Sequence, residues 1–580
     1  MCPMGAEVYE LCLKYAVKNA LKHGGKARVD AVMRMVLAER PDLRKIAREI
    51  VAHARKAVEQ VNSMTLEDLS RLAQEKWPEL LEREEKKVEE KRELPPLPGA
   101  EEGRVVTRFA PNPDFVLHLG SARPAILSYA YARKYKGRFI LRFEDTDPKT
   151  KPPIPEAYDL IREDLKWLGL RWDEEYIQSL RMEIYYDHAR KLIERGGAYV
   201  CTHSPDEIKR MRREGVKDPC SDLAVEEHLE RWDSMLEGRY GEGEAVLRIK
   251  TDYKHPNPAV RDWIAFRVID TEKYPHPLTG SKYIVWPTYN YACAIDDHLM
   301  GVTHILRGKE HETNTIKQAY IYRYMGWEEP VAIHFGRLGL EGTILSKSKI
   351  KAGIEQGKYT GWDDPRLGTL IALRKRGILP QAIWDLVMDV GVKPSSAQIS
   401  MDNLHAYNRK HLEPIANRYM FVHDPVKLSL VAETELKAHI PYHPSYPERG
   451  FRELIIGQGE PVYITSNDLR SLKEGAEFRL LGMANFRLVS KEPPTAEFVS
   501  LESEYATSKR LPILQWVPVR DYVEAVVIRP VGENIDEVKG VAEPAIRELK
   551  EDARVQFFRF GYVRLDRWER GTAVFYYTHD

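Results

Sequence analysis

Cysteine is scarce in this chain: Cys2, Cys12, Cys201, Cys220 and Cys293 are the only five in 580 residues. So few and so scattered, they cannot staple a disulfide scaffold, and they fit a reducing compartment. Net charge is missing too, with 88 Lys+Arg against 88 Asp+Glu. A polyanionic partner must therefore be met by local patches, because the whole-molecule field gives no bias. No run approaches the ~18 apolar residues of a membrane span. The start of the chain lacks the basic-then-apolar order of a signal peptide. Together these absences predict a cytoplasmic protein without membrane contact. Glycine and proline, 36 each, stand at ordinary levels and exclude collagen-like or low-complexity chains. There is no internal repeat. What is present is 43% hydrophobic and 30% charged residues, enough for several cores. At ~150 residues per domain the length predicts about four domains.

Residues 1 to 85 carry helical periodicity. Val8, Leu11, Cys12 and Tyr15 fall at i, i+3, i+4 and i+7, one face of a helix. Thr65 ahead of Leu66-Glu67-Asp68 reads as a cap, its hydroxyl accepting an otherwise orphan N–H. Residues 1–50 hold ten Lys/Arg against six Asp/Glu. A solvated face is the plain reading of that excess; a phosphate backbone or a protein partner is the other. The charged run 82–93 and the prolines after it read as a linker, since both oppose a packed fold.

From Arg104 the texture alternates. A strand at 105–109, a helix at 121–134 and a strand at 138–143 predict a parallel sheet with crossover helices. Residues 195–285 interrupt it with a charged, helix-rich insertion, in which Ser204-Pro205-Asp206-Glu207 is a capping box. The sheet pattern resumes near Trp286 and ends near Ile344. Residues 360–405 read as helices opened by Asp363-Asp364-Pro365. Beyond Tyr407 short strands, as at 461–465, 555–559 and 572–578, predict a barrel or sandwich.

The densest chemical signal is Arg108-Phe-Ala-Pro-Asn-Pro-Asp-Phe-Val-Leu-His118-Leu-Gly120-Ser121. A strand runs into a proline-stiffened turn that delivers His118 and Gly120 to a helix start. Unpaired N–H groups and the positive dipole end there suit a phosphate. Gly120 removes the side chain that would hold the backbone off, and His118 can donate to a phosphate oxygen. A buried turn histidine is the structural alternative. Far downstream, Ile344-Leu345-Ser346-Lys347-Ser348-Lys349 offers a lysine and hydroxyls on a short mobile loop. Such a loop can neutralise charge on a transferring triphosphate; a solvated turn is its alternative.

Together these segments resemble the HIGH and KMSKS signatures of class I aminoacyl-tRNA synthetases. Three more narrow the resemblance to glutamyl-tRNA synthetases of the archaeal and eukaryotic type. They are Phe139-Ile-Leu-Arg-Phe-Glu144-Asp-Thr-Asp147, the run from Pro287-Thr-Tyr289 through Cys293 to Arg307-Gly, and Gly361-Trp-Asp-Asp-Pro-Arg366. The resemblance spans residues 104 to 405 and weakens towards the end. It implies an α/β chain with a helical N-terminal extension and linker at 1–95. A Rossmann-type catalytic domain (104–195 and 286–350) would surround an acceptor-stem-binding insertion (196–285). A helical connector (351–405) and a β-barrel anticodon-binding region (406–580) would follow.

The implied reaction is ligation of L-glutamate to the 3′-terminal adenosine of tRNA(Glu), using ATP with Mg²⁺ on its phosphates. By the same resemblance His118 and Lys347 hold the triphosphate and are the catalytic pair. Gly120, Ser121, Leu345, Ser346 and Ser348 complete the ATP site, with backbone near Leu345 meeting the adenine. Arg108 and Arg307 face the substrate carboxylates, and Glu144 meets the α-amino group. Tyr289, with Ala110, Asn112 and Cys293, lines the amino-acid pocket. The pattern departs at Ser121, the last HIGH position, at Leu345, where KMSKS has methionine, and at Phe115, where glycine is frequent. Serine can bond a phosphate or ribose but carries no proton charge.

Two rivals share the architecture. Glutaminyl-tRNA synthetase would leave Arg307 without a charge to pair with. A non-catalytic tRNA-binding protein with a synthetase fold would have no use for His118, Glu144 and Lys347 together. Whether tRNA(Gln) is charged as well stays open. In the insertion, Cys201-Thr-His203 and Cys220-Ser-Asp222 are two short-spaced pairs. Cys201, His203 and Cys220, with Asp222 or His228, would complete the tetrahedron zinc prefers. A metal-free cysteine pair is the equal alternative.

Overall fold

Two units divide the chain, residues 1–92 and 93–580. The computed structural model describes residues 3–22, 27–40, 42–43, 47–77 and 93–580. In the first unit α1 (Pro3–Lys22), α2 (Val29–Glu39), α3 (Ala47–Asn62) and α4 (Leu66–Lys76) share one apolar core. Cys12, Ala16, Val32, Val36, Ile50 and Leu69 meet in it. Thr65 caps α4, its hydroxyl accepting the Asp68 N–H at 3.2 Å. Residues 82–92 of the expected linker lie outside the described residues.

The second unit opens with β1 (Val106–Phe109), α5 (Leu119–Lys134), β2 (Arg138–Phe143), α6 (Pro155–Trp167) and β3 (Glu174–Ile177). The strands pair in parallel, in the order β1-β2-β3. All four β1 residues are buried, as in a parallel sheet covered on both faces. After α7 (Met182–Glu194) comes the insertion, with β4 (Ala198–Cys201), α8 (Pro205–Glu214), α9 (Val225–Leu236), β5 (Val246–Ile249), β6 (Ile264–Val268) and β7 (Val285–Pro287). Ser204 and Glu207 form the reciprocal capping box at α8. Beside these helices the insertion holds a sheet that the expectation lacked: its four strands are antiparallel, β4-β5-β6-β7, over Trp232, Phe266 and Trp286. Strands of three to five residues are too short for alternation to show. β7 closes this sheet and does not restart the parallel one.

The chain re-enters the body through α10 (Tyr289–Leu299), β8 (His304–Gly308), α11 (Glu312–Met325) and β9 (Val331–Phe335). β8 and β9 are parallel. The Thr303 N–H donates to Val106 O at 2.9 Å, which sets β8 beside β1. β10 (Leu338–Glu341), α12 (Lys347–Glu355), α13 (Leu370–Lys375), α14 (Pro380–Val390), β11 (Ala397–Ser400) and α15 (Met401–Leu412) follow. Two readings of this stretch are corrected. Asp363-Asp364-Pro365 opens no helix. The Asp364 carboxylate folds a turn instead, accepting from the Thr360 N–H (3.0 Å) and Arg366 Nε (2.8 Å), and the helix begins later under a Thr369 cap. Residues 397–400 are a strand parallel to β10, seated by buried Ile399.

Beyond α15 stand two seven-stranded sheets. One has edge strands Arg418–Tyr419 and Phe421–His423, on either side of Met420. The other has edge strands Ile513–Leu514 and Val517–Pro518, flanking fully buried Trp516. Because both edges of each sheet come from neighbouring residues, each sheet curls until its edges adjoin. These are the barrels. No helix among the described residues is long and apolar enough to cross a membrane.

Gly137 is the tightest point of the first sheet. A Cβ there would lie 1.9 Å from Val105 O, the carbonyl that receives the Arg138 N–H. Gly137→Ala should therefore cost ~1–3 kcal/mol through overpacking. A lower urea midpoint for the unit 93–580 is the expected result; an unchanged midpoint would show that the strands can part freely.

Candidate active site

The C-terminal ends of β1, β2 and β8 frame a cavity of about 700 Å³, the customary place for a ligand in an open α/β sheet. Arg108, Ala110 and Asn112 reach it from β1 and its turn, Glu144 from β2, Arg307 from β8 and Tyr289 from the start of α10. His118 and Gly120 reach it from the start of α5. Ser121, Cys293 and residues 345–348 do not line it.

His118 occupies the N-cap position of α5 with extended backbone. A Cβ on Gly120 would stand 2.8 Å from His118 Cε1, so glycine is what lets the ring fold over the first turn. His118 Nδ1 is buried without a partner. Burial, then the charge of Lys347, push its pKa down to about 4, so the ring is neutral at pH 7 and still donates one N–H.

Lys347 is the first residue of α12, not part of a loose loop. Its Nζ lies 3.0 Å from Asp114 Oδ1 and 5.7 Å from the centre of the Phe115 ring. Ser346 Oγ and Ser348 Oγ are 3.3 Å apart. Leu345 and Ser346 line a separate depression of about 520 Å³ that Glu533 also borders. Backbone bonds join the two signatures: Leu119 N–H to Gly368 O (3.1 Å), Gly368 N–H to Ile344 O (3.1 Å) and Leu370 N–H to Leu117 O (2.9 Å).

Arg108 and Arg307 differ in their surroundings. Arg108 grips Asp297 with two nitrogens, Nε to Oδ1 (3.1 Å) and Nη2 to Oδ2 (3.3 Å). Burial would raise the Asp297 carboxyl, yet Arg108 and Arg142 hold it well below the usual carboxylate range. Cys293 packs beneath, with Sγ 3.5 Å from Arg108 Nη2 and 3.4 Å from Arg142 Nη2. Arg307 meets only neutral groups: Tyr289 OH (3.3 Å), Thr315 Oγ1 (2.6 Å) and Gln318 Oε1 (2.9 Å). Among the described residues no carboxylate pairs with it, although it is 5% exposed. Burial, then the charge of Arg307, push neighbouring His311 down to about 4.

In the insertion, the donor atoms of Cys201, His203, Asp218 and Cys220 all lie within 4.8 Å of one another. His203 Nδ1 is 3.0 Å from Asp218 Oδ1 and 3.4 Å from Cys220 Sγ. Two thiols, an imidazole and a carboxylate are a donor set that suits zinc. The fourth member is Asp218. Asp222 faces Lys217 at the surface, and His228 Nδ1 accepts the Val200 N–H at 3.2 Å.

The family model for "tRNA synthetases class I (E and Q), catalytic domain" matches residues 104–414. Two models of the anti-codon binding domain of the same family match 416–506 and 513–566. This chain belongs to the class I tRNA synthetases for glutamate and glutamine. It is 58% identical to the "Glutamate--tRNA ligase" of Thermofilum pendens, covering 100% of each chain. It is 54% identical to that of Pyrobaculum calidifontis (99% and 100% covered) and 53% identical to that of Pyrococcus furiosus (99% and 100%).

Some residues around this synthetase site escaped the sequence reading. Arg142 stands two residues before Glu144, on the same face of β2, and Asp297 four after Cys293, on the same face of α10. Those spacings were the available signal. Asp114, Thr315, Gln318 and Gly368 carried none, because their partners are fixed only by the fold.

A pH dependence follows from His118. Its folded pKa is lowered to about 4, so between that value and ~6.5 the unfolded chain binds the extra proton and stability rises with pH. Acidification from pH 7 to 4.5 should remove on the order of 2 kcal/mol that His118→Gln does not lose. Melting curves of both proteins across that range test it; parallel losses would mean that His118 is not the titrating group.

Proposed function

We propose that this chain is a glutamate–tRNA ligase, activating L-glutamate with ATP and passing it to the 3′-terminal adenosine of tRNA(Glu). The relatives named above support this reading, and the observation that carries it is the unpaired charge of Arg307. A buried cation surrounded only by neutral acceptors wants an anion. The side-chain carboxylate of glutamate supplies one, and the amide of glutamine does not.

In the first step an α-carboxylate oxygen attacks the α-phosphorus and the bond to pyrophosphate breaks, leaving a mixed anhydride. A ribose hydroxyl of the terminal adenosine then attacks the carbonyl carbon and AMP departs. The protein contributes position and charge, not a covalent nucleophile. The α5 N-terminus, with His118 and Gly120, receives the triphosphate, and Mg²⁺ enters with the nucleotide as part of that substrate. Lys347, half exposed on Asp114, exchanges that partner for phosphate oxygens. Glu144 takes the α-ammonium, while Arg108 and Tyr289 shape the amino-acid end. The barrels read the anticodon, and charging assays with tRNA(Glu) and tRNA(Gln) decide whether one or both are accepted. The free cysteines fit a cytoplasmic enzyme.

Cys201, His203, Asp218 and Cys220 would hold a zinc that ties β4 to the turn at residues 219–222, with no part in the reaction. Purified protein should contain about one zinc per chain, and Cys220→Ser should lose the metal and loosen the insertion to proteolysis, since such sites couple binding to folding. A metal-free, fully active preparation would overturn this.

The decisive measurement is kcat/KM for glutamate and glutamine at saturating ATP and tRNA. Stranding the Arg307 charge costs ~3–5 kcal/mol, a discrimination of hundreds to thousands. Arg307→Cys should lose most glutamate activity and far less glutamine activity, narrowing or inverting the preference. An unchanged preference would leave Arg307 without its role.

A further inference from the structure

Behind the cavity wall lie two ionised side chains that do not line the cavity, Arg142 and Asp297, each no more than 1% exposed. Arg142 Nη1 bonds Asp297 Oδ1 at 2.8 Å and its Nη2 bonds Glu144 Oε1 at 2.9 Å. Asp297 in turn holds Arg108 through Nε and Nη2. The result is a linear chain of alternating charge, Glu144–Arg142–Asp297–Arg108, drawn from β2, α10 and β1. Both ends open into the cavity. Glu144 keeps Oε2 and Arg108 keeps Nη1 without a protein partner among the described residues, while Oε1, Nε and Nη2 are committed inward.

We infer that Arg142 and Asp297 are positioning residues for amino-acid binding, holding Arg108 ready for a substrate carboxylate and Glu144 ready for the α-ammonium. The inference rests on the ligase reading and deepens it. Two ion pairs in a dry interior are a poor way to gain stability alone, because desolvation offsets most of the attraction. Their value lies in direction. A bidentate carboxylate locks the plane of the Arg108 guanidinium, and a guanidinium spanning two carboxylates prevents Glu144 from turning to pair with Arg108 directly. Without Asp297, Arg108 and Glu144 would face each other across the space a substrate must enter. Cys293, against both arginines and 3.4 Å from Asp297 Oδ2, is a small spacer in this network and not part of the pocket wall.

The test is Asp297→Asn in the full chain, with tRNA(Glu) present, read by pyrophosphate exchange at varied glutamate and varied ATP. The KM for glutamate should rise roughly ten- to hundred-fold while the KM for ATP stays within about two-fold, because only the amino-acid end loses its geometry. A merely structural residue would move both constants together or neither, and either result in a folded variant overturns the assignment. Should the Asn protein not fold, Arg142→Lys, which keeps a buried cation but cannot span two carboxylates, is read for the same split. If neither variant folds, the network is a folding element and the inference fails. The parent is measured alongside: one that exchanges no pyrophosphate with glutamate removes the ligase reading and this assignment with it.

Discussion

Gly368 donates its N–H to Ile344 O and accepts from the Leu119 N–H, each at 3.1 Å, so a single residue is bonded to both signatures. His118 and Lys347 are distant in sequence, and neither segment alone can set its distance from the other. The stretch 367–369 does so as a short piece of extended backbone wedged between them, bridging to Ile344 on one side and to His118 on the other. The centre of the wedge is tight: a Cβ on Gly368 would meet Leu345 Cδ2 at 2.5 Å and Thr343 Cγ2 at 3.0 Å, so the Leu345 side chain would have to move aside. Its entry is fixed by the Asp364 turn, whose carboxylate binds Thr360 and Arg366. Residues that looked like a helix start are the hinge pin of the site.

Backbone bonds of this kind place elements, but they do not discriminate between substrates. Discrimination falls to side chains at the strand ends, and here local and non-local information separate. The region 105–143 was legible because strand, proline turn, helix and second strand are contiguous and each has its own signature. The insertion strands were not, since three to five residues cannot display a period. The two adjacent acids on α10 are sorted in the sequence only by the spacing of Asp297 from Cys293. Asp296 serves Gln178, Arg181 and Tyr185, while Asp297 serves Arg108 and Arg142. Nothing in Asp-Asp says which face each takes until the helix is docked. The same holds in the insertion, where Asp218 and not Asp222 stands beside the cysteines: the turn at 219–222 directs the later acid to solvent.

Charge balance then connects the wall to its occupant. Arg108, Arg142, Asp297 and Glu144 sum to zero. Arg267 cancels Asp147 (2.7 Å), and Arg337 is offset by Glu310 (3.6 Å). Arg307, at the end of β8, is buried among hydroxyl and amide oxygens, and Arg123 on the same wall hydrogen-bonds only to backbone carbonyls. On the ligase reading, glutamate brings a side-chain anion to Arg307 and glutamine brings none. A neutral pair of arginine and carboxylate in a dry cavity is favourable where a lone cation is costly, and rejection by an unpaired buried group is steeper than any fit of shape could supply. Arg108, already paired with Asp297, carries no such unmet charge. The ligase reading therefore assigns selectivity to Arg307, whose charge no carboxylate among the described residues meets.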